Sequence, residues 1–198
     1  MNTYLEAIKN RRSIYGLEKS SPISNDEICK LAEDAMLHTP SPFNMQSSRV
    51  LVLFGPNHDR LWEIVMNALR KKVPADKFSP TETKIKSFAE AYGTILYFDD
   101  TTVTSQYAEK FHTYRDNFPT WAQQANAILQ YNIWNLLAES GLGASLQHYN
   151  PLIDAEVKQT WNIPDDWLLI AQMPFGTQTA APAEKTFIPT NERIFRYD

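Results

Sequence analysis

The chain has 198 residues, of which 43% are hydrophobic and 21% are charged, a balance typical of globular rather than disordered or fibrous proteins. The formal net charge is −4 and the basic residues are scattered, so we expect no nucleic-acid partner. The longest apolar run covers residues 50–54, far fewer than the ~20 residues that cross a bilayer, so we expect no membrane partner. Cys29 is the only cysteine, and the N-terminus lacks a signal-like apolar stretch. We therefore predict a cytoplasmic protein without disulfides.

The pattern along the chain alternates between helices and strands, without internal repeats. Ser24 and Glu27 have the spacing of a capping box that opens a helix. Cys29 follows Ile28 in that helix and is interpreted as a small buried core residue. Residues 50–54 are predicted to form a strand that is covered on both faces. In chain order, the predicted elements are a helix over 3–12, a helix from Ser24 to Pro40, the strand 50–54, a helix around 61–69, a helix capped by Ser79 and closed by Gly93, a strand over 94–98, a helix over 119–140, and strands over 144–147 and 167–173.

The helix over 119–140 is the longest, with about six turns at ~3.6 residues each. Trp121, Tyr131 and Trp134 widen its apolar surface, which predicts burial on more than one side. A dimer interface is one way to achieve this. Residues 176–198 show no helical periodicity, yet they carry Phe187, Ile188, Ile194 and Phe195, which need to be buried against the fold or against a partner subunit.

Several familiar catalytic templates are missing from the sequence. There is no Gly-x-Gly-x-x-Gly, no Walker loop and no serine nucleophile elbow. The four histidines, His38, His58, His112 and His148, never occur in a His-x-x-x-His arrangement, so we expect no metal site. Because these motifs are missing, we expect a bound cofactor rather than protein side chains to carry the chemistry, and we assign no catalytic residue.

Arg11, Arg12 and Ser13 end the first predicted helix. One interpretation is ordinary, because cations near a helix C-terminus interact favourably with its dipole. The other is a phosphate site, because arginine forks and a hydroxyl match phosphate oxygens.

Two further segments have the character of a binding site. Residues 41–46 form either a plain polar loop or a surface on which the amides of Asn44 and Gln46 face the edge of a flavin pyrimidine ring. Residues 146–149 form a strand-to-loop edge of the kind where ligands bind in α/β folds. His148 within it, taken singly, is more often structural than catalytic.

The order and spacing of these segments resemble the nitroreductase family, which has an Arg-Arg-Ser-x-Arg pattern, a Pro-Ser-x-x-Asn-x-Gln loop and a Gly-Leu-Gly segment after the central helix. The resemblance covers essentially the whole chain and is closest to the subgroup of fungal fatty-acid-repression-mutant proteins and their bacterial relatives. The corresponding strings here are Arg11-Arg12-Ser13-Ile14-Tyr15, Pro40-Ser41-Pro42-Phe43-Asn44-Met45-Gln46 and Gly141-Leu142-Gly143.

The resemblance implies an α+β nitroreductase-like fold, with a mixed, mainly antiparallel central sheet flanked by helices and the long central helix at a dimer interface. Residues 1–198 would form one domain, with 176–198 as an extension that packs on the partner subunit of a homodimer. FMN would accept a hydride from NADH or NADPH and pass electrons to a nitroaromatic, a quinone or a similar small molecule by a ping-pong mechanism. The alternative is a flavin-binding sensor or regulatory module of a lipid or oxidative-stress response, with little turnover.

The resemblance also assigns roles to individual residues. Arg11 and Ser13 would hold the FMN phosphate together with Lys185, and Arg12 would contact the ribityl chain or ring edge. Tyr15 stands where the family pattern usually has a cation, so Arg12 would also have to stabilise the reduced flavin. Phe187 stands where a second basic residue is often found, which leaves the phosphate site with fewer positive charges. The residues implied around the flavin ring are Ser41, Pro42, Asn44 and Gln46, with the glutamine from the other subunit, and Leu146, Gln147, His148 and Tyr149. Aromatic candidates for the acceptor pocket are Phe43, Tyr92, Phe111 and Trp121.

Overall fold

A computed structural model describes residues 3–198. Five strands form one sheet in the order β1-β5-β3-β2, with β4 also paired to β5. Each of the four ladders is antiparallel, and a parallel pairing occurs in the isolated bridge between Ser13 and Ala144. The strands are β1 Leu17–Glu18, β2 Ser48–Phe54, β3 Gly93–Asp100, β4 Leu142–Ala144 and β5 Trp167–Gln178.

The core lies on both faces of β3, which is buried along its whole length. Because neighbouring strand residues point to opposite faces, Ile95 and Tyr97 pack into one apolar cluster, while Leu96 and Phe98 pack into another. The first cluster lies under α2 and α6, and the second lies under α3, α4 and α7. The helices are α1 Thr3–Asn10, α2 Asn25–His38, α3 Pro56–Arg70, α4 Ser79–Ala89, α5 Thr101–Lys110, α6 Phe118–Glu139 and α7 Asp154–Trp161.

The predicted α+β fold with its flanking helices is confirmed, and the long helix α6 ends within one residue of each predicted boundary. The capping box at the start of α2 is also present. Ser24 Oγ accepts from the Glu27 backbone N–H at 3.2 Å, and Glu27 Oε2 accepts from the Ser24 N–H at 2.8 Å.

Three local predictions were wrong. The strand at 50–54 is not covered on both faces, because β2 lies at an edge of the sheet and most of its residues are only partly buried. Ser79 does not cap α4, since it lies inside the helix after Phe78, and Gly93 begins β3 rather than closing that helix. Cys29 is partly exposed, because it lies beside the buried face of α2 that Ile28 occupies.

Other elements differ in position or were missed. The strand predicted at 144–147 is β4, which lies at Leu142–Ala144, and β5 continues to Gln178 into the segment expected to be irregular. The sequence analysis missed β1, α5 and α7. β1 has two residues and α7 has eight, too short for a clear periodic signal.

Beyond β5, residues 179–198 run as an irregular, almost entirely exposed tail with one short 3-10 turn at Thr190–Glu192. Within residues 3–198, no helix combines the length and the apolar character needed to cross a bilayer.

Candidate functional site

Arg11, Arg12, Ser13, Tyr15 and Lys185 line one cavity of about 570 Å³, here called the cationic cavity. The other walls are Gly16 and residues 180–184 and 186 of the tail. Sequence reasoning placed Lys185 with the N-terminal arginines, and the structure brings these residues together.

The guanidinium of Arg11 is held by stacking. Its Cζ atom lies 4.3 Å from the ring centroid of Trp134 and 5.6 Å from that of Tyr131, both on α6. A cation over an aromatic face is stabilised without using its N–H donors. Among residues 3–198, the buried Nε atom of Arg11 has no hydrogen-bond partner. The arrangement fixes a cation at the wall of the cationic cavity.

The rest of the N-terminal segment is anchored to the sheet and to the tail. The Ile14 N–H donates to the Ala144 carbonyl at 2.9 Å, and Ser13 bridges to the same residue. Arg12 Nη2 donates to the Ala183 carbonyl at 2.6 Å. The tail therefore closes one side of the cationic cavity.

Residues 41–46, here called the amide loop, form part of a second cavity. Ser41, Gln46 and Arg49 line this cavity of about 300 Å³ together with residues of α2, β2 and α6. Pro42 and Asn44 lie in the same loop but line neither cavity. The amide loop cavity and the cationic cavity share no lining residue within one chain.

Residues 146–149 are hydrogen-bonded to β5. Gln147 and Gln172 exchange backbone hydrogen bonds of 2.7 and 2.9 Å, and the Tyr149 N–H donates to Gln172 Oε1 at 2.7 Å. The Tyr149 ring packs edge-on against Trp62, and burial raises its pKa to about 12. Leu146 packs into the core, whereas His148 is exposed. These four residues line neither cavity.

Three of the four aromatic candidates meet beside the amide loop. Phe43 stacks on Phe111 with ring centroids 4.2 Å apart, and the Trp121 ring lies 6.4 Å from that of Phe43. Tyr92 is separate from this group, because it packs against Phe54 and its hydroxyl donates to Asn25 Oδ1 at 2.7 Å.

Sequence reasoning missed three residues that hold the candidate site in place: Trp134, Arg49 and Gln172. A polar glutamine in an otherwise apolar strand was a usable signal, because Gln172 is fully buried. Arg49, beside the apolar run of β2, offered a similar signal. Trp134 was noted only as apolar surface, and its contact with Arg11 depends on tertiary packing.

The sequence pattern of the nitroreductase family matches residues 8–177. The chain belongs to the nitroreductase family. This membership makes it an oxidoreductase by class, and it confirms the resemblance on which the predicted fold was based.

The curated relatives of this nitroreductase-family chain include two yeast proteins. The putative nitroreductase HBN1 of Saccharomyces cerevisiae is 35% identical over 98% of this chain and 97% of its own length. The nitroreductase FRM2 of the same yeast is 34% identical over 93% of each chain. Among solved structures, nitroreductase CinD from Lactococcus lactis in complex with 4-nitrophenol is 39% identical, with a TM-score of 0.88 over 98% of this chain and 100% of CinD.

Proposed function

We propose that the chain is an FMN-dependent oxidoreductase that uses NADH or NADPH to reduce nitroaromatics, quinones or similar acceptors by a ping-pong mechanism. The observation that carries this proposal is the cationic cavity. Arg11, Arg12, Ser13 and Lys185 line one space, together with the acid Glu184, and a set of three cations and a hydroxyl suits a phosphate monoester. Bound FMN would supply the chemistry, by accepting a hydride and returning electrons to the acceptor.

The stacked guanidinium of Arg11 supports the phosphate assignment. Trp134 fixes the plane of the Arg11 guanidinium. The arginine side chain is therefore ordered before a ligand binds, which lowers the entropy cost of binding. Arg12 donates to the tail carbonyl of Ala183, and both residues line the same cavity. Lys185 adds a third cation from the tail.

The exposed amides of Asn44 and Gln46 support a ring-binding role for the amide loop. We infer that a single FMN meets the cationic cavity of one subunit and the amide loop of its partner, as the resemblance to the family implies; the lack of a shared lining residue in one chain agrees with this. This division supports a homodimer in which residues 179–198 pack on the partner, and the lone cysteine supports a reducing, cytoplasmic location.

The protein side chains at residues 146–149 are poor candidates for proton transfer. The phenol of Tyr149 has a pKa of about 12, so it stays protonated near neutral pH and does not act as a base. His148 is exposed to water. Solvent can supply the protons that accompany electron transfer, and residues 146–149 would line the ring through their backbone.

Named neighbours add support for cofactor and acceptor. The solved structure of a nitroreductase from Desulfitobacterium hafniense, which shares the fold at a TM-score of 0.73 and 18% identity, has bound FMN. The CinD complex contains 4-nitrophenol, a nitroaromatic compound of the proposed acceptor class.

The absorbance spectrum of the purified chain tests the proposal. We expect a yellow protein, or one that becomes yellow with added FMN, and we expect NADH or NADPH to bleach it under anaerobic conditions. A chain that stays colourless with FMN would contradict the proposal. Slow reoxidation of the reduced protein by menadione or a nitroaromatic would instead favour the sensor alternative.

The Arg11→Ala variant tests the phosphate assignment. Loss of a charge-assisted hydrogen bond is expected to weaken FMN binding by about 1.5–3 kcal/mol, measured by titration of flavin-free protein. Arg60→Ala is the matched control, because Arg60 pairs with Glu63 and Glu156 on the surface, away from both cavities. Equal FMN affinity in the Arg11→Ala and Arg60→Ala proteins would overturn the assignment.

A further inference from the structure

The backbone of the amide loop adopts an unusual conformation. Phe43, Asn44 and Gln46 have positive φ angles of 51°, 55° and 52°. Side chains with a Cβ atom disfavour this left-handed region, although asparagine tolerates it, and a bulky residue such as phenylalanine is rare there. Such residues persist only where the surroundings hold them, and they concentrate at functional sites.

Hydrogen bonds inside the loop hold part of this shape. The Asn44 N–H donates to the Ser41 carbonyl at 2.9 Å, and the Gln46 N–H donates to Ser41 Oγ at 3.0 Å. Met45 points inward and is buried with Ala108 and Phe118. These contacts close the turn but leave the two ends of the loop to be fixed by other groups.

An aromatic contact fixes the Phe43 end. The Phe43 ring lies 4.2 Å from Phe111 at an interplanar angle of 20°, and 5.8 Å from Phe118. Phe111 follows the last residue of α5, and Phe118 begins α6. The side chain is still 48% exposed, so one face of the ring packs and the other meets solvent.

Arg49 fixes the Gln46 end. Its Nη1 donates to the carbonyls of Gln46 at 2.8 Å and Ser48 at 3.0 Å, and its Nη2 donates to Asp100 Oδ2 at 2.7 Å. The other carboxylate oxygen of Asp100 accepts from the Val103 N–H and caps α5. One guanidinium thus ties the end of the amide loop to the start of α5, and lysine could not reproduce this planar fork.

We propose that Arg49 and Phe43 are positioning residues, which hold the left-handed backbone of the amide loop so that Asn44 and Gln46 face the flavin ring. Both anchors join the loop to the same segment, α5 and the residues after it. The inference rests on the proposed function, because it assumes that the loop binds FMN. It adds to the flavin site Arg49, which lies outside the family motifs, and Phe43, which occupies an unspecified position within the Pro-Ser-x-x-Asn-x-Gln motif.

Titration of flavin-free protein with FMN tests the role of Arg49. Arg49→Met is expected to raise the Kd of FMN about tenfold, equivalent to about 1.4 kcal/mol. It is also expected to change the visible circular dichroism of the bound flavin at saturation, which loss of stability alone would not do. Arg60→Met, which loses only surface ion pairs, should leave both measurements unchanged.

Arg49→Lys covers the case in which Arg49→Met does not fold. The lysine keeps a charge opposite Asp100 but cannot serve both carbonyls, so its Kd should still exceed that of the parent chain. For the other anchor, Phe43→Gly should bind FMN more tightly than Phe43→Ala, because glycine adopts positive φ without strain.

The outcomes separate this inference from the proposed function. A parent chain that binds no FMN overturns both. A parent chain that binds FMN, together with an Arg49 variant of unchanged affinity and unchanged flavin spectrum, overturns the positioning role of Arg49 alone. An FMN affinity of Phe43→Ala equal to that of the parent chain overturns the positioning role of Phe43, and equal affinities of the two Phe43 variants overturn the role of backbone strain there.

Discussion

Buried polar side chains lie beneath the amide loop, between the sheet and α6. Asn126 donates to the Phe98 carbonyl at 2.9 Å, and Gln130 donates to Asn126 Oδ1 at 2.7 Å. Asp99 differs from them: its Oδ2 accepts from the Thr104 hydroxyl at 2.9 Å, but its Oδ1 has no partner among residues 3–198. Burial raises the pKa of this carboxyl above its ordinary value of 3.8, and the neighbouring Asp100 acts in the same direction.

Asp99→Asn is expected to flatten the pH dependence of stability. Because the folded state keeps the Asp99 proton to higher pH than the unfolded state, the free energy of unfolding falls as pH rises through this window. The parent chain should therefore lose stability relative to the variant as the pH rises from the ordinary carboxyl value of 3.8 through the raised pKa of Asp99. Urea unfolding at each pH measures this, with the exposed Asp76→Asn as control. Parallel pH profiles for the parent and Asp99→Asn would contradict the prediction.

At the scale of residues, the motifs could be predicted from the sequence, but the contacts that support them could not. Arg11, Ser13 and Lys185 were expected at a phosphate, and they line one cavity. Trp134 and Arg49 act through contacts made by the folded chain. The positive φ angles of the amide loop depend on those contacts, and neither Phe43 nor Gln46 is a residue type that signals them.

Local signals decided which elements could be predicted. The boundaries of α2 and α6 follow from a capping box, an apolar stripe and the glycine at position 141, whose φ is +81°. α5 was missed because it begins Thr101-Thr102-Val103-Thr104, and β-branched residues have low helix propensity. The Asp100 cap and the packing of α5 on α6 override that preference.

The capping box of α2 gives a prediction for Ser24→Ala. The substitution removes the acceptor for the Glu27 N–H and should lower the free energy of unfolding by about 1 kcal/mol, within a range of roughly 0.5–2. Urea unfolding measures the change. Ser87→Ala is the matched control, since that hydroxyl only donates to the Lys84 carbonyl within α4. A loss in Ser24→Ala no larger than that of the control would argue against the cap.

Close packing of β4 against the N-terminal segment leads to a prediction for Gly143→Ala. An added Cβ would lie 2.8 Å from Ile14 Cγ2 and 2.9 Å from Leu17 Cδ2. Overpacking of this kind costs about 1–3 kcal/mol, and the shift of Ile14 should also weaken FMN binding through its neighbour Ser13. Unfolding measures the loss of stability, and titration with FMN measures the loss of affinity.

Gly55→Ala separates crowding from backbone strain. Gly55 has a φ of +51°, with nothing within 4 Å of an added Cβ, so alanine there should destabilise the fold through strain alone. FMN affinity should fall for Gly143→Ala and stay unchanged for Gly55→Ala. Equal FMN affinities in the two variants would contradict the link between β4 and the cationic cavity.

For the molecule as a whole, the unpaired surfaces are the most informative feature. The tail leaves large apolar side chains in solvent, including Phe187 and Tyr197, which are 76% and 94% exposed. Ile128 on α6 and Leu37 on α2 are also exposed. Apolar surface of this extent on a folded chain marks an interaction site. The proposed homodimer would explain both the exposed apolar side chains and the separation of the two cavities.

Removal of residues 187–198 tests that assembly. The parent chain should sediment at twice the 22.8 kDa of one chain, and the truncated chain should dissociate at higher concentration.

Each large apolar side chain contributes roughly 1.5–3 kcal/mol when fully buried. Loss of five such side chains should therefore raise the dimer dissociation constant by well over tenfold, a factor worth about 1.4 kcal/mol. The cut retains Lys185 but removes the Phe187 ring, whose centroid lies 5.3 Å from Lys185 Nζ, so the dimer dissociation constant, and not FMN affinity, is the measure of this test. Asn191→Ala, which removes a polar side chain from the same tail, is the control. A monomeric parent chain, or a truncated chain that dimerises as well as the parent, would refute the proposed role of the tail.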